Sequence, residues 1–430
     1  MYITVDDKFI TLSNGVLVES TKNNDNTRTD YWEMDLPHAP YLFMMAVGDF
    51  AEIKDEWQDV PLTYLVEKEY ARYAKDIFGN TPEMMTYFSE LLGINFPWKK
   101  YAQVVVRDFV SGAMENTTAS VFMEAVQSNS RELLDRRWED EADYNFSQSK
   151  ESYFDEAKDD PKSLIRFYYE TREDMFDRHS YNKGGWVLHM LRNYVGDEAF
   201  FTALNLYLNQ NAFQTVEIND LRLAFEMVTG EDLNWFFDQW FMLSGHPTLD
   251  ITHKYQNDTL YLDIMQSQDE ETHLFKLPVF VDIWVSGEIE RFPIIIEEET
   301  ETYKFPLSEA PELVLFDPEN QLLAEISHSK SDKELAFQYD NAVGFEARKE
   351  AMLKVADFKS GSLQHEIIEK GLKDAFFGIR LIALGLIESK VVKLKKYEEQ
   401  LVSMLEDDNS YVRADVLSLL VSANSNKYSP

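Results

Sequence analysis

The periodicity of the apolar residues changes twice along this chain of 430 residues, and this limits the folds that it can adopt. Between residues 164 and 243 the apolar positions recur at helical spacing, as in the face formed by Trp186, Val187, Met190, Leu191 and Tyr194. From 247 to 326 short apolar runs alternate with period two, and after 331 the helical period returns. The pattern predicts a multidomain α+β protein rather than one regular architecture.

The amino-terminal part is predicted to combine strands with one clear helix. Short strand-like runs occupy residues 2–20, so we expect the chain to open inside a sheet and to lack the preceding part of its amino-terminal domain. A helix is predicted to begin at Thr81-Pro82, where a hydroxyl cap precedes proline, and to end at Gly93.

The carboxyl-terminal part is predicted to contain two modules. Five to seven short strands within 247–327 are typical of a small β-sandwich. Within 331–430, three similar segments place Arg348, Arg380 and Arg413 at spacings of 32 and 33 residues. This favours stacked helical hairpins of HEAT type, with an ordinary helical bundle as the alternative.

Charge and composition exclude several classes of function. The chain has 41 basic and 77 acidic residues, and its net charge of −36 argues against nucleic-acid and anionic-membrane partners. It has no cysteine, which excludes disulfides, thiol nucleophiles and cysteine-ligated zinc. Because neither a signal peptide nor a membrane-spanning run is visible, no membrane partner is expected, and a cytoplasmic and a periplasmic or secreted location both stay open.

One short motif is more specific than any of these patterns. Residues 112–116 read Gly-Ala-Met-Glu-Asn, and this resembles the signature of the aminopeptidase N family of zinc metallopeptidases, the gluzincins. The segments 47–50, 181–184 and 235–240 resemble further motifs of that family. The resemblance implies four parts in order: the end of an amino-terminal β-domain, a thermolysin-like, mostly helical catalytic domain, a β-sandwich and HEAT-like repeats, at 1–37, 38–246, 247–327 and 331–430.

The resemblance also implies an activity and its residues. The family removes amino-terminal residues from peptides, so peptides with a free amino terminus are the expected partners. Substrate binding would fall to the motif, with the Glu115 carboxylate binding the ammonium group and the backbone pairing with the peptide. Tyr181 would be the catalytic residue that donates to the oxyanion. The residues of the expected binding segment are Gly112, Ala113, Met114, Glu115 and Asn116.

The zinc-binding motif of the family is missing from this sequence. In His-Glu-x-x-His the spacing places both histidines on one helix face toward zinc, yet no two of the eight histidines here lie four apart. A single internal deletion near Asp140-Glu141 would remove the zinc ligands and the general base together. Although the family uses zinc, we predict no metal ligand, no zinc cofactor and no catalysis for this chain.

Three interpretations follow from the missing motif. The chain is a family member whose given form has lost its active centre, or a non-catalytic peptide-binding or scaffold protein that reuses the aminopeptidase fold. The third interpretation, an enzyme with another metal site, has no histidine cluster in the sequence to support it.

Overall fold

The computed structural model describes residues 1–110, 112–127 and 139–423, with the side chains of 139–142 left out. Strands and helices both contribute extensively, which confirms the multidomain α+β class. The chain forms two compact units. The first unit comprises Met1–Arg137 and Asp197–Glu231, and the second comprises Trp138–Gly196 and Asp232–Pro430.

The first unit is built around a five-stranded sheet with the order β6-β7-β8-β10-β9. β8 runs parallel to both β7 and β10, whereas β9 pairs antiparallel with β10 and forms one edge. Smaller sheets have the orders β1-β4-β3 and β2-β5. The strands are β1 Tyr2–Asp6, β2 Ile10–Ser13, β3 Val16–Lys22, β4 Thr27–Glu33, β5 Met45–Gly48, β6 Phe50–Trp57, β7 Val60–Glu67, β8 Tyr101–Val106, β9 Ala113–Met114 and β10 Ala119–Met123.

Two helices of the first unit contact this sheet, and two later helices pack against each other beside them. Their bounds are Ala74–Phe78, Thr81–Leu92, Asp197–Gln210 and Ile218–Thr229. The helix predicted from Thr81 to Gly93 has those bounds, but Thr81 does not cap it. Its hydroxyl has one proton to donate and lies 2.7 Å from the Phe78 carbonyl oxygen and 2.8 Å from Gln103 Oε1 instead, while Gly93 ends the helix at a positive φ of 62°.

The second unit begins with helices and continues with strands. Its first helices are Glu139–Ala157, Gly184–Val195 and Asn234–Phe237, and π-helical turns occupy His179–Lys183 and Asp238–Met242. Seven strands then form sheets with the orders β15-β12-β11-β17 and β14-β13-β16. These strands are β11 Thr248–Gln256, β12 Thr259–Gln266, β13 Leu277–Val285, β14 Glu288–Ile296, β15 Thr300–Pro306, β16 Leu313–Phe316 and β17 Glu325–His328.

The second unit ends in helices that share one apolar core. The three repeated arginines have similar surroundings there. Arg380 donates to the Asp374 carbonyl at 2.8 Å and to the Asp407 carboxylate, while Arg413 donates to the Asp407 carbonyl at 2.6 Å. Arg348 lies 3.8 Å from the Asp374 carboxylate, so each arginine faces an acidic turn. The helices are Asp332–Asn341, Phe345–Lys354, Gly361–Gly371, Phe377–Glu388, Glu398–Ser403 and Ser410–Ala423.

Several boundaries stay predictions, including the four domain limits and the assignment of the last helices to the HEAT type. The segment 128–138, directly before the predicted deletion at Asp140-Glu141, lies outside the described residues. Among the helices described, none combines the length and the apolar character that crossing a bilayer requires.

Candidate peptide-binding site

The motif at 112–116 lies at the edge of the five-stranded sheet. Ala113 and Met114 form β9, and the Met123 N–H donates to the Gly112 carbonyl at 3.0 Å on the side of β10. On its other side β9 has no strand partner among the described residues. Gly112 and Ala113 are exposed, and a Cβ added at Gly112 would meet nothing within 4 Å. An extended peptide could therefore pair with this edge at close range.

Glu115 and Asn116 begin the loop that connects β9 to β10, and they differ in exposure. Glu115 is exposed, and none of the other described residues forms a hydrogen bond or ion pair with its carboxylate. Asn116 is only 7% exposed, and its Nδ2 donates to the Leu42 carbonyl at 3.2 Å. The Asn116 side chain therefore holds the loop in place, while the Glu115 carboxylate is exposed and has no partner within the described ranges.

The rest of this loop is fixed by hydrogen bonds to the amino-terminal strands. Asn14 Nδ2 donates to the Thr117 carbonyl at 2.6 Å, and the Gly15 N–H donates to Thr118 Oγ1 at 2.9 Å. Thr118 has a φ of 68°, in the left-handed region that few residues other than glycine adopt. The hydrogen bonds from Asn14 and Gly15 stabilise this conformation. They therefore fix the position of the loop that follows Glu115.

The predicted oxyanion donor, Tyr181, lies in the second unit on the π-helical turn His179–Lys183. Its side chain is 64% exposed, and its hydroxyl has no hydrogen bond to any described residue. The Lys183 side chain is fully buried and donates to the Gly245 carbonyl at 3.0 Å. Burial lowers the pKa of Lys183 to about 8. The turn thus has one buried anchor and one exposed phenol, and π-helical turns often occur at functional sites.

The same turn brings together three residues that the sequence did not connect. Glu156, Asp177 and His179 each place one ligand atom within 4.8 Å of the others, the one such metal-type group in the described part of the chain. His179 Nε2 accepts the Lys162 backbone N–H at 3.1 Å, so Nδ1 carries the proton and donates to Glu156 Oε1 at 3.1 Å. Burial lowers the pKa of His179, with Glu156 opposing that shift.

The third member of this group, Asp177, is also occupied. Arg166 forms an ion pair with its carboxylate, and the Ser180 N–H donates to it at 2.8 Å. Burial would raise the pKa of Asp177, but the hydrogen bonds from Arg166 and Ser180 outweigh burial and lower it to about 2. Zinc requires a free imidazole nitrogen and free carboxylate oxygens. Because both histidine nitrogens and the aspartate are already engaged, these residues do not fit a zinc site.

A second polar group links β11, β17 and the helix Asp332–Asn341. His253 Nδ1 lies 2.9 Å from His328 Nε2, and His253 Nε2 lies 2.6 Å from Glu334 Oε1. Glu334 and His328 contact opposite nitrogens of the His253 ring. The three residues therefore form a linear chain of contacts, and their ligand atoms do not converge on one point. No local sequence pattern indicates this pairing, because the two histidines lie 75 residues apart.

Comparisons with known proteins agree with the motif. The model of the peptidase family M1 domain matches residues 77–136 and 121–240. Aminopeptidase M1 of Arabidopsis thaliana is 24% identical over 303 residues, 57% of this chain and 34% of that protein. Aminopeptidase N of Streptomyces lividans is 25% identical over 292 residues, 54% of this chain and 34% of that protein. The matched part thus spans about a third of these relatives' length.

The fold also resembles a solved structure. Aminopeptidase A of Legionella pneumophila, determined in complex with aspartic acid, superposes with a TM-score of 0.76 at 15% identity. The superposition covers 99% of this chain and 66% of that one. Together, the motif at 112–116, the family model and these relatives support the assignment of the chain to peptidase family M1, the aminopeptidase N family.

Proposed function

We propose that this chain is a form of an M1 aminopeptidase that lacks the zinc-binding segment, and that it binds peptides with a free amino terminus without hydrolysing them. The sequence contains no His-Glu-x-x-His. The two matches to the family model overlap at 121–136, next to the predicted deletion at Asp140-Glu141. A match in two segments rather than in one is what an internal deletion would produce, and it supports this interpretation.

The observation that carries the binding proposal is the outer edge of β9, which has no strand partner among the described residues, with Glu115 directly after it. An extended peptide that pairs with Gly112 and Ala113 gains backbone hydrogen bonds in either case. A free ammonium group would add a charge-assisted hydrogen bond to the Glu115 carboxylate, which has no other partner among the described residues. The site would therefore favour a free amine over an acetylated one.

The proposed loss of hydrolysis follows from the donor set of this chain. Metallopeptidases need a Lewis acid and an activated water, which zinc supplies in this family. The Glu156, Asp177 and His179 atoms that come closest to a ligand set are engaged with Lys162, Arg166 and each other. Glu115 and Tyr181 can bind an amine and donate a hydrogen bond, but they do not supply hydroxide at neutral pH.

The alternative is a protein whose natural role is non-catalytic peptide binding or scaffolding on the aminopeptidase fold. The same edge strand supports this alternative, because β9 pairs with β10 and presents its outer edge without the help of a metal-binding residue. The gene distinguishes the two: codons for His-Glu-x-x-His at the Asp140-Glu141 junction would identify a damaged peptidase, whereas an uninterrupted reading frame would favour the binding protein.

Three measurements test the proposal. Metal analysis after dialysis against zinc should show no stoichiometric ion, and chromogenic aminoacyl amides should not be hydrolysed. A fluorescent peptide with a free amine should bind about tenfold tighter than its acetylated form, since hydrogen bonds to charged groups contribute about 1.5 kcal/mol or more. Glu115→Gln should abolish this preference, while Glu90→Gln, an equal charge change on an exposed helix residue, should retain it. Zinc-dependent turnover by this chain would overturn the proposal.

A further inference from the structure

A buried lysine lies behind the loop that carries Glu115. Lys100 directly precedes β8 and is only 8% exposed. Its ammonium group donates to the Ser13 carbonyl at 2.9 Å and to the Thr118 carbonyl at 3.0 Å, and it lies 5.3 Å from the centre of the Trp32 ring. No carboxylate among the described residues forms an ion pair with it.

This arrangement is unfavourable for the lysine itself. Burial lowers the pKa of Lys100 to about 7, because an ammonium group without a counter-ion loses more hydration than two carbonyls restore. The neighbouring Lys99 shows the ordinary case: its side chain is 65% exposed and pairs with Asp35. We therefore look for the reason for the burial of Lys100 in the groups that its hydrogen bonds connect.

The atoms that Lys100 joins are those that define the loop after Glu115. The Thr118 carbonyl accepts both from Lys100 and from the Ala102 N–H at 2.9 Å, directly where β10 begins. Thr118 is the residue with a φ of 68°, and its hydroxyl accepts the Gly15 N–H. The Lys100 ammonium thus connects the amino-terminal strands, β8 and the left-handed turn of the loop at one point.

We propose that Lys100 is a positioning residue for the amine-binding carboxylate of Glu115. It holds the Thr118 turn in its left-handed conformation, and through the short segment 116–118 it fixes the direction in which Glu115 leaves β9. Glu115 itself is exposed and has no partner in the described part of the chain, so the backbone of this loop alone determines its position. This inference rests on the proposed binding of peptide amines by Glu115.

The test compares Lys100→Met, which keeps the chain length but removes the donors, with Lys99→Met as the matched control on the exposed neighbour. Affinity is measured for one fluorescent peptide with a free and with an acetylated amino terminus. Amide hydrogen exchange is followed at Gly15 and Ala119, whose N–H groups donate to Thr118 Oγ1 and to the Asn116 carbonyl.

In Lys100→Met the preference for the free amine should fall from about tenfold to below about threefold, with the acetylated peptide bound as before. Exchange at both amides should become about tenfold faster, and Lys99→Met should match the wild type. A purely structural lysine would lower both affinities equally. A retained preference, or unchanged exchange, would overturn the proposal.

Two further outcomes are distinguishable. If the wild-type chain does not prefer the free amine, the proposed function fails, and the exchange rates still decide whether Lys100 holds the loop. If Lys100→Met does not fold, Lys100→Gln, whose donor nitrogen is one bond closer to the backbone, takes its place. The ratio of its affinities for the free-amine and the acetylated peptide should lie between the wild-type ratio and one. A wild-type ratio together with slow amide exchange would contradict the role of Lys100.

Discussion

The two segments that the family motifs mark as functional are held in their units by different forces. The loop after Glu115 is fixed by hydrogen bonds between uncharged groups and by one buried lysine that has no ion pair among the described residues. The turn that carries Tyr181 lies beside an ion pair of Asp177 with Arg166, and a buried Lys183 anchors its other end. In both segments the predicted functional side chain is exposed, while a residue one or two positions further on, Asn116 or Lys183, is buried.

From this difference we infer that positioning and metal binding are separable in this fold. Each segment is held by contacts within its own unit, and none of those contacts involves a zinc ligand of the family motif. A deletion that removes such ligands can therefore leave both segments in place. The following experiments test this separation, beginning with the largest expected effect.

Inserting the zinc-binding segment of a relative at the Asp140-Glu141 junction should convert this chain, which we propose to be inactive, into a zinc-dependent aminopeptidase. The change should be from no detectable turnover to turnover, because the insertion supplies the Lewis acid and the activated water together. Hydrolysis of aminoacyl chromogenic amides, with and without a chelator, is the measurement. A restored chain that binds zinc but stays inactive would show that Glu115 and Tyr181 were not positioned without the segment.

In the restored protein the two segments should differ in kinetics. Glu115→Ala should raise KM about tenfold or more, because the carboxylate recognises the amine in substrate and transition state alike. Tyr181→Phe should mainly lower kcat, about a hundredfold, since its hydroxyl matters most when the oxyanion forms. Equal changes in KM and kcat for both variants would contradict the assigned roles.

The buried lysines allow the same comparison through pH. In the folded protein the pKa is lowered from 10.5 to about 7 for Lys100 and to about 8 for Lys183. Between these values and 10.5 the unfolded chain binds more protons, so the free energy of unfolding should rise with pH in that window. The rise should be of the order of 3 kcal/mol for Lys100 and smaller for Lys183.

Urea unfolding at pH 7 and pH 10 tests this expectation against Lys100→Met and Lys183→Met. In each variant the free energy of unfolding should rise less with pH, by the amount that the replaced lysine contributes. The change should affect only the unfolding of the unit that contains this lysine. Lys99→Met, whose side chain is exposed, should keep the full rise. Identical pH dependence in wild type and Lys100→Met would mean that this ammonium group is hydrated in solution.

The ion pair between Arg166 and Asp177, beside Tyr181, should contribute somewhat less to the free energy of unfolding than Lys100 does between pH 7 and pH 10. Arg166→Met leaves the Asp177 carboxylate, whose side chain is 11% exposed, with its hydrogen bonds and with the more distant Lys162 ammonium, at 4.0 Å, as its remaining cationic partner. We expect a loss of about 2 kcal/mol in the free energy of unfolding. Arg172→Met is the control, because its pair with Glu173 is exposed and should contribute below about 0.5 kcal/mol. Equal effects in urea unfolding would contradict the importance of burial here.

Local signals in the sequence predicted local structure well. Proline at 82 and glycine at 93 marked the helix Thr81–Leu92, and the five letters at 112–116 marked the segment that forms the sheet edge. These features depend on residues close in sequence. At the end of the range 164–243, where the apolar spacing predicts helices, the structure has a short helix, Asn234–Phe237, followed by a π-helical turn, which apolar spacing does not distinguish from a regular helix.

Contacts between distant residues could not be predicted in this way. His179 and Glu156 form a hydrogen bond although they lie 23 residues apart in sequence, and Lys100 and Thr118 do so across 18 residues. Residues of these types are common in proteins, so their identity alone does not indicate a contact. Whether such residues meet depends on how the strands and turns pack, which no local pattern records. The sequence therefore identified the exposed functional candidates, while the buried residues that position them emerged only from the structure.

The smallest expected effects concern the stability of the two exposed candidates. Tyr181 is 64% exposed, and its hydroxyl has no hydrogen bond to any described residue, so Tyr181→Phe should change the free energy of unfolding by less than about 0.5 kcal/mol. Glu115→Gln should behave alike, whereas Asn116→Ala should lose about 1 kcal/mol because it removes a buried donor to Leu42. Urea unfolding of the three variants is the measurement. A loss above about 1 kcal/mol in Tyr181→Phe would show that the phenol is bonded within the fold, and it would then no longer be free to meet an oxyanion.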